Sequence, residues 1–341
     1  MTTIATVEEL EERLSRPTAS DEKAMADLEG DLLILGAGGK MGPSLALLAR
    51  RAADQANVEK RIIAVSRFGD DSLRQRLEDQ RIETISLDLL EPGALAKLPD
   101  APNVIFMAAR KFGTTGSAHL TWAMNTFLPG LVAERFRNSR IVAFSTGNVY
   151  PLQPVSEGGA TESTPVNPHG EYAQSALGRE RMFEYGSNQW GTRVAIVRLN
   201  YAVELRYGVL VDIAQAVFDR RAIDLRMGYV NVIWQGDANS ICLRCFAHCA
   251  SPPFIVNATG PEVLSVHQIA EQFGKKFGIQ PRFDYQESDT ALVSNAAKSH
   301  QLFGCPSVQV GEMIDWIADW VSNRRTMLNK PTHFSSRDGK F

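Results

Sequence analysis

The sequence has 341 residues, of which 44% are hydrophobic and 22% are charged, and its formal net charge is −3. This composition is ordinary for a globular protein, and the length allows one large domain or two unequal ones. The charge balance excludes the basic footprint of a nucleic-acid-binding protein, and the lack of any apolar run of about 18 residues excludes a transmembrane helix.

Residues 1–30 are polar and predict two short helices that are separated at Pro17. Thr6 and Glu9 have the spacing of a capping box, which predicts the start of the first helix. The segment lacks the basic-then-apolar order of a secretory signal, so we expect a cytoplasmic protein. We expect this extension to pack on the domain or on a partner subunit and to carry no chemistry.

From residue 31 onward, apolar strand patterns alternate with helical patterns. The helical pattern at 119–137 contains Pro129, which we expect to kink the helix. Strands that are apolar on both faces and separated by helices predict a doubly wound parallel α/β sheet. The alternation loosens after residue 200, which predicts a smaller α/β lobe there. The runs that predict buried strands are LLILGA, RIIAVSR, IETISLDL, NVIFMAA, RIVAFST, TRVAIVRLN and FIVNATG.

Three of the four cysteines lie in the segment ICLRCFAHCA. Their spacing of three and four residues places the thiols on one face of a helix, and no second CxxC pair follows as it would in a zinc ribbon. We therefore expect buried thiols and no metal site. Reduced thiols also favour the cytoplasm. The four cysteines are Cys242, Cys245, Cys249 and Cys305.

A glycine-rich turn, GAGGKMG, follows the first predicted strand and precedes a predicted helix. Gly36 allows the tight turn, Gly39 lets the backbone approach a pyrophosphate, and Gly42 lets the helix pack close to the strand. The amide groups at the N-terminus of the helix favour the negative phosphates, so the turn predicts a dinucleotide site. The predicted divisions of the chain are then an extension (1–30), a Rossmann domain (31–200), a substrate-binding lobe interleaved with the core (201–330) and a tail that we expect to fray (331–341).

The end of the second strand decides between the two nicotinamide dinucleotides. Ser66 and Arg67 stand there, and a hydroxyl and a guanidinium suit the 2′-phosphate of NADP. Asp70 and Asp71 follow within a few residues and leave NAD open. The sequence thus favours NADP slightly over NAD.

The ordered set of motifs resembles the extended short-chain dehydrogenase/reductase family, also called the NAD-dependent epimerase/dehydratase family, over residues 31–325. The resemblance implies hydride transfer to or from a nicotinamide, with Thr146 in FSTGNVYP and Tyr172 in EYAQSALGRE holding the reacting oxygen. A sugar, sugar acid or nucleotide sugar is the implied substrate, and a homodimer through 119–137 and 171–188 is the implied assembly. The implied cofactor contacts are Gly36, Gly39, Lys40, Met41, Gly42, Ser66, Arg67, Asp88, Leu89, Ala108, Ala109, Lys111, Asn125, Tyr172 and Asn200, and the implied substrate contacts are Thr146, Asn148, Asn200 and Arg206.

The lysine that the family carries four residues after the tyrosine is missing, because that position is Ala176. The chemistry needs a cation, since an unperturbed tyrosine titrates at about pH 10 and is a poor base at neutral pH. Three interpretations stay open: another cation substitutes, the tyrosine works without full activation, or the chain binds a dinucleotide without catalysis. Lys111 is the preferred substitute, and Arg110 and Arg179 are weaker candidates because arginine adapts less readily. We expect an altered but working site, with a non-catalytic sensor or assembly protein as the alternative.

Overall fold

The computed structural model describes residues 3–69, 71–111 and 116–339. Apart from a two-residue strand at Gln153–Pro154, the strands of the first 200 residues follow the predicted apolar runs. In chain order the strands are β1 (Leu32–Leu35), β2 (Ile62–Ser66), β3 (Glu83–Ser86), β4 (Asn103–Phe106), β5 (Arg140–Thr146), β6 (Gln153–Pro154), β7 (Arg193–Leu199), β8 (Ala202–Val203), β9 (Ala222–Asp224), β10 (Tyr229–Val230), β11 (Ile233–Trp234), β12 (Phe254–Ala258), β13 (Leu264–Ser265), β14 (Arg282–Asp284) and β15 (Thr290–Ala291).

The α-helices alternate with the long strands and dominate the later part of the chain. Among the described residues, no helix combines the length with the apolar character that a membrane span requires. The helices are α1 (Val7–Leu14), α2 (Ala19–Asp27), α3 (Gly42–Gln55), α4 (Asp71–Glu78), α5 (Ala118–Trp122), α6 (Leu128–Arg135), α7 (Gly170–Trp190), α8 (Val209–Phe218), α9 (Gln235–Arg244), α10 (Val266–Phe277), α11 (Ala297–Phe303) and α12 (Val310–Ser322).

Within the described part of the chain, seven strands form one sheet in the order β12-β7-β5-β4-β1-β2-β3. Every neighbouring pair in this sheet is parallel. The order reverses at β1, which pairs with β2 on one side and with β4 on the other. The predicted doubly wound sheet is confirmed, and such sheets bind ligands at the strand ends beside the reversal.

Successive residues of β1 face opposite sides of the sheet. Leu32 and Ile34 pack with α3 and α9 on one side, while Leu33 and Leu35 pack with α6 and α7 on the other. Burial on both faces is the reason that the strand is apolar at every position. Both α9 and β12 come from beyond residue 200, so the later part of the chain completes the sheet domain.

A second hydrophobic core lies in the lobe and joins α8, α10 and α12 with α1 of the N-terminal extension. Leu10 and Leu14 of α1 are buried in it, beside the edge-to-face pair of Trp234 and Trp316. The predicted capping box at the start of α1 is present. The helix α1 is therefore a packed part of the lobe, whereas Met25 of α2 is buried in the core of the sheet domain.

The helical stretch around Pro129 contains a π-helical turn, and the kink at this proline stays a prediction. A π-helical turn at Ala123–Phe127 separates α5 from α6, and Pro129 stands in the first turn of α6. Proline fits there because its missing N–H would have no intrahelical partner at that position.

The cysteine segment forms the end of α9 and a short 3₁₀ turn. Cys242 and Cys245 are buried, which confirms the prediction for those two, and Cys249 is half-buried. Burial raises the pKa of Cys249 to about 12, and it raises the pKa of Cys242 and Cys245 as well. These thiols pack as small apolar groups.

The prediction that the tail would fray is wrong for residues 331–339. Thr332 is 2% exposed, and its backbone N–H and hydroxyl both donate to Asp212 of α8. Phe334 is buried in the core of the lobe. The segment carries no helix or strand, so local periodicity gave no sign of these contacts.

Candidate functional site

The predicted site residues lie at the C-terminal ends of neighbouring strands. β1 leads into the glycine turn, β4 leads to Ala108, β5 ends at Thr146 and β7 leads to Asn200. Because parallel strands all end at the same edge of the sheet, residues from four distant segments meet there.

The glycine turn has the geometry expected of a phosphate cradle. Gly36 has φ of +93°, and a Cβ on it would lie 2.5 Å from the backbone nitrogen of Ala108. Only glycine, which has no side chain, therefore allows the turn to lie this close to the segment that follows β4. A Cβ on Gly42 would lie 2.2 Å from a carbonyl oxygen of the turn itself. Gly39, by contrast, is exposed, and α3 begins without a side-chain cap at Met41. Exposed backbone before an uncapped helix N-terminus fits a dinucleotide pyrophosphate.

A cavity of about 700 Å³ opens beside this turn and is lined by its residues Gly38, Gly39 and Lys40. Residues of α1, α3 and α4 supply most of the remaining walls. The N-terminal extension thus borders the space next to the turn, a position that its sequence did not indicate.

The residues predicted to contact the adenosine end lie together at the ends of β2 and β3. The hydroxyl of Ser66 lies against the glycine turn. Arg67 is largely exposed, and its guanidinium is 3.8 Å from the carboxylate of Asp88. Leu89 is buried in the sheet domain, whereas Asp70 lies outside the described residues.

Asn125 joins the loop after β4 to the tyrosine helix, α7. Its Oδ1 accepts from the Arg110 backbone N–H at 2.8 Å and from the Arg179 guanidinium at 3.1 Å. Its Nδ2 donates to the Arg110 carbonyl at 2.9 Å and to the Ser175 hydroxyl at 3.0 Å. Since both donors and both acceptors of the amide are used inside the protein, Asn125 fixes this loop in place. Ala109, beside Arg110, is exposed.

Thr146 and Tyr172 come together as the resemblance implies. The Thr146 hydroxyl oxygen accepts from the Asn148 backbone N–H at 3.2 Å and from its side-chain Nδ2 at 2.9 Å. Its proton is therefore available to Tyr172. Burial raises the pKa of Tyr172, and the charge of Arg179 and the hydroxyl of Thr146 oppose that rise. Tyr172 is thus a neutral phenol at neutral pH.

Two cations lie near Tyr172, although Ala176 supplies none. The Lys111 ammonium is 5.8 Å from the centre of the Tyr172 ring. Arg179, one of the weaker sequence candidates, is 3% exposed, donates to a carbonyl of β5 at 2.7 Å and acts electrostatically on Tyr172. Burial lowers the pKa of Lys111 to about 8, and the negative charge of Asp212 opposes this shift.

Lys40 extends this cluster from the glycine turn toward the lobe. Its ammonium lies 3.6 Å from the centre of the Tyr207 ring and donates to a carbonyl of β8 at 3.4 Å. Burial lowers the pKa of Lys40 to about 7, and the carboxylate of Glu204 opposes this shift. Burial also raises the pKa values of Tyr201 and Tyr207, both of which interact with Tyr172. Three neutral phenols and two lysines therefore share one site.

Arg206, predicted as a substrate contact, is engaged with two carboxylates. Its Nε lies 3.1 Å from the fully buried Glu204, and a terminal nitrogen lies 3.4 Å from Glu11 of α1. Asn200 is buried and donates to the Leu292 carbonyl at 3.3 Å. The substrate roles of both residues stay predictions.

Sequence reasoning missed three residues of this site. Asp212 is the lone carboxylate in the apolar helix VLVDIAQAVF. A charged residue in such a helix usually has a partner or a function, so this position could have been identified as a candidate site residue from the sequence. Neither Tyr207 nor Thr332 lies in one of the short motifs from which the site was predicted. Asp212 and Tyr207 also line a cavity of about 470 Å³ between α8, β9 and residues 329–335.

Comparison with known families gives one match. Residues 32–203, which are 172 of the 341 residues, match the NAD dependent epimerase/dehydratase family. A search of the curated proteins returned no match. The family description names NAD and lends no support to the predicted preference for NADP.

Several solved structures share the fold at low sequence identity. A UDP-glucuronic acid 4-epimerase from Bacillus cereus in complex with NAD is 16% identical and has a TM-score of 0.71, with 86% of this chain and 99% of that chain covered. A dTDP-glucose 4,6-dehydratase from Streptomyces venezuelae with NAD and TYD bound is 17% identical and has a TM-score of 0.72, with 86% and 97% covered. A UDP-Glc/GlcNAc 4-epimerase from Campylobacter jejuni is 19% identical and has a TM-score of 0.69, with 86% and 99% covered.

Proposed function

Because this chain belongs to the NAD-dependent epimerase/dehydratase family, a family of enzymes, we propose that it transfers a hydride to or from a hydroxyl-bearing carbon of a polyhydroxylated substrate. The substrate class is a sugar, a sugar acid or a nucleotide sugar, as in the solved relatives whose names include UDP-glucuronic acid and dTDP-glucose. The observation that carries the proposal is the grouping of Thr146, Tyr172 and the Lys111 ammonium at the C-terminal end of β5.

In this reaction the side chains of the site handle the proton, and the cofactor handles the hydride. NAD, when bound along the glycine turn, supplies the carbon that accepts or donates the hydride. Tyr172 keeps its proton at neutral pH and gives it to a substrate carbonyl oxygen, and Thr146 orients the phenol. Lys111 and Arg179 place positive charge where the phenolate forms, which is the task of the missing lysine. This charge also lets ionised Tyr172 accept a proton from a substrate hydroxyl in the reverse direction.

Replacing Tyr172 with Phe removes the proton donor and leaves the ring. We expect turnover to fall by a factor of about 10²–10⁴, with NAD affinity within about twofold of the wild type. Turnover is followed by NADH absorbance and by chromatography of nucleotide sugars and sugar acids, and NAD affinity by fluorescence titration. The exposed Tyr285 provides the control, because Tyr285→Phe removes the same oxygen from a ring that is not among the predicted site residues. Equal turnover in wild type and Tyr172→Phe would refute the assignment.

We propose NAD as the cofactor, on the basis of the family description and of the NAD named in two of the solved relatives. The carboxylate of Asp88 partly compensates the charge of Arg67, which weakens the case for a 2′-phosphate. The protein is purified without nucleotide and denatured, and the supernatant is assayed for NAD and NADP. Stoichiometric NAD supports an epimerase that keeps its cofactor through an internal redox cycle. NADP in its place would reverse the assignment.

A non-catalytic dinucleotide-binding protein is the second candidate. It is favoured by the neutral Tyr172 and by the buried Ala176, which leaves no charge at the usual position. Stoichiometric NAD binding without conversion of any substrate of the tested classes would support this alternative over the enzyme.

We also propose a homodimer that forms through α5, the π-helical turn and α7. Large apolar side chains are exposed on these adjoining helices, and a stable monomer rarely exposes them together. The residues are Phe127 (60% exposed), Tyr185 (55%), Leu120 (41%) and Trp122 (37%).

A further inference from the structure

Residues 326–339, here called the strap, follow α12 without forming a helix or strand. The strap begins where the Thr326 carbonyl accepts from the indole N–H of Trp320 at 3.0 Å. The Leu328 N–H then donates to the Arg206 carbonyl at 3.1 Å, and Phe334 is buried in the core of the lobe. The first half of the strap is therefore fixed to the lobe.

The second half reaches the tyrosine helix. Arg337 donates to the Thr290 carbonyl at 2.8 Å and to the Thr290 hydroxyl at 2.7 Å. Gly339 lies so close to the start of α7 that a Cβ on it would be 2.3 Å from the His169 carbonyl oxygen. The strap thus runs from the lobe to the N-terminus of the helix that carries Tyr172.

At its centre the strap contacts the cation beside Tyr172. The Lys111 ammonium donates to the Thr332 carbonyl at 3.3 Å. Thr332 is itself held by Asp212, which accepts from its N–H at 2.8 Å and from its hydroxyl at 2.6 Å. A buried threonine with both donors on one carboxylate has little freedom, so its carbonyl is a fixed acceptor.

We propose that Asp212 and Thr332 are positioning residues that hold the Lys111 ammonium over Tyr172, and that the strap is by this means part of the active site. The proposal rests on the proposed function, in which Lys111 supplies charge to the reacting phenol. It assigns the strap a role beyond packing, because a packing segment needs no contact with Lys111.

The test uses a matched pair of variants in the full chain. Thr332→Val removes the hydroxyl bond to Asp212 and keeps the size, whereas Thr332→Ser keeps the hydroxyl. Asp212→Ala removes both bonds. Asp219→Ala is the control, because Asp219 lies at the exposed end of the same helix and pairs only loosely with Arg221 at 3.5 Å.

Two readouts are compared. The first is the acetylation rate of Lys111 by a succinimidyl ester, measured by mass spectrometry relative to the exposed Lys97. We expect about fivefold faster acetylation in Thr332→Val and Asp212→Ala, and the wild-type rate in Thr332→Ser and Asp219→Ala. The second is a fall in kcat of about tenfold in the first two variants, with the NAD dissociation constant within about twofold of the wild type.

Acetylation of Lys111 at the wild-type rate in both Thr332→Val and Asp212→Ala would overturn the proposal, whatever happened to kcat. Faster acetylation with unchanged kcat would overturn it as well, since Lys111 would then be held without a catalytic purpose. If the wild type bound NAD but converted no substrate, the proposed function would fail, and the acetylation rates alone would still decide whether the strap holds Lys111.

Discussion

At the scale of single residues, Ala176 explains how the tyrosine helix packs without its usual lysine. Its side chain is fully buried in a small cluster with Val149, Tyr150 and Ala160. A methyl group fills this space, and no acceptor for an ammonium is provided by the apolar members of the cluster. The positive charge near Tyr172 comes instead from Lys111, which follows β4, and from Arg179 of the same helix.

Restoring lysine at Ala176 should therefore harm the protein. We expect Ala176→Lys to lower the free energy of unfolding by at least about 1–3 kcal/mol, because a long charged side chain is forced into a packed cluster. Urea unfolding measures the change. Gln174→Lys places the same residue at an exposed position of the same helix and should change stability by no more than about 0.5 kcal/mol. A stable and more active Ala176→Lys would show that the site keeps room for the lysine.

Which residues could be predicted depended on whether the information was local. Thr146 and the glycines could be predicted because they lie in short motifs at strand ends, and Tyr172 because it lies in a short motif at the start of α7. Arg179 lies seven residues after Tyr172 on α7, but its burial against a carbonyl of β5 depends on how the helix packs, which the sequence did not indicate. Thr332 was missed because it meets Lys111 across 221 positions of sequence.

At the scale of elements, Lys40 joins the glycine turn to the lobe through Tyr207 and Glu204. Sequence placed this lysine in the cofactor turn but could not show that its side chain points to the lobe. The pattern of apolar residues was sufficient to predict the sheet, because burial on both faces makes each of its strands a continuous apolar run. The same pattern could not predict the path of the strap, because polar contacts that do not repeat along the sequence hold it in place.

The pKa of Lys40 makes the contribution of this contact depend on pH. The folded protein releases the Lys40 proton at about pH 7, whereas the unfolded chain holds it until about pH 10.4. Between these values the unfolded chain binds more protons, so the stability of the wild type rises with pH relative to Lys40→Met. Because Lys40 is partly exposed, we expect a rise of about 1 kcal/mol between about pH 6.5 and about pH 8.5.

Urea unfolding of both proteins at the two pH values measures this difference. The buried thiols are the same in both proteins, so their contribution to the pH dependence cancels. Lys97→Met, at an exposed position, should show no such trend against the wild type. A difference between wild type and Lys40→Met that stays flat or falls with pH would contradict the lowered pKa of Lys40.

At the scale of the whole molecule, the exposed apolar face on α5 and α7 predicts how two copies assemble. Phe127→Glu puts a charge at the most exposed of these side chains and should convert the dimer to a monomer. Sedimentation equilibrium at micromolar concentration measures the mass. Leu302→Glu, which changes an exposed leucine on α11, should leave the dimer intact. A wild type that sediments as a monomer under these conditions would refute the dimer.

The core of the lobe also sets the order in which the molecule is built during translation. That core contains Ile4 and Leu10 together with Trp320 and Phe334, so its contacts link residues more than 300 positions apart. The ribosome must release Phe334 before the lobe can close, and α1 waits without its partners until then. The core of the sheet domain needs only the chain through Phe303 of α11, so we expect it to form first and to offer the surface on which the lobe is completed. Because contacts of such long range form slowly, we expect closure of the lobe to be the slow step of folding.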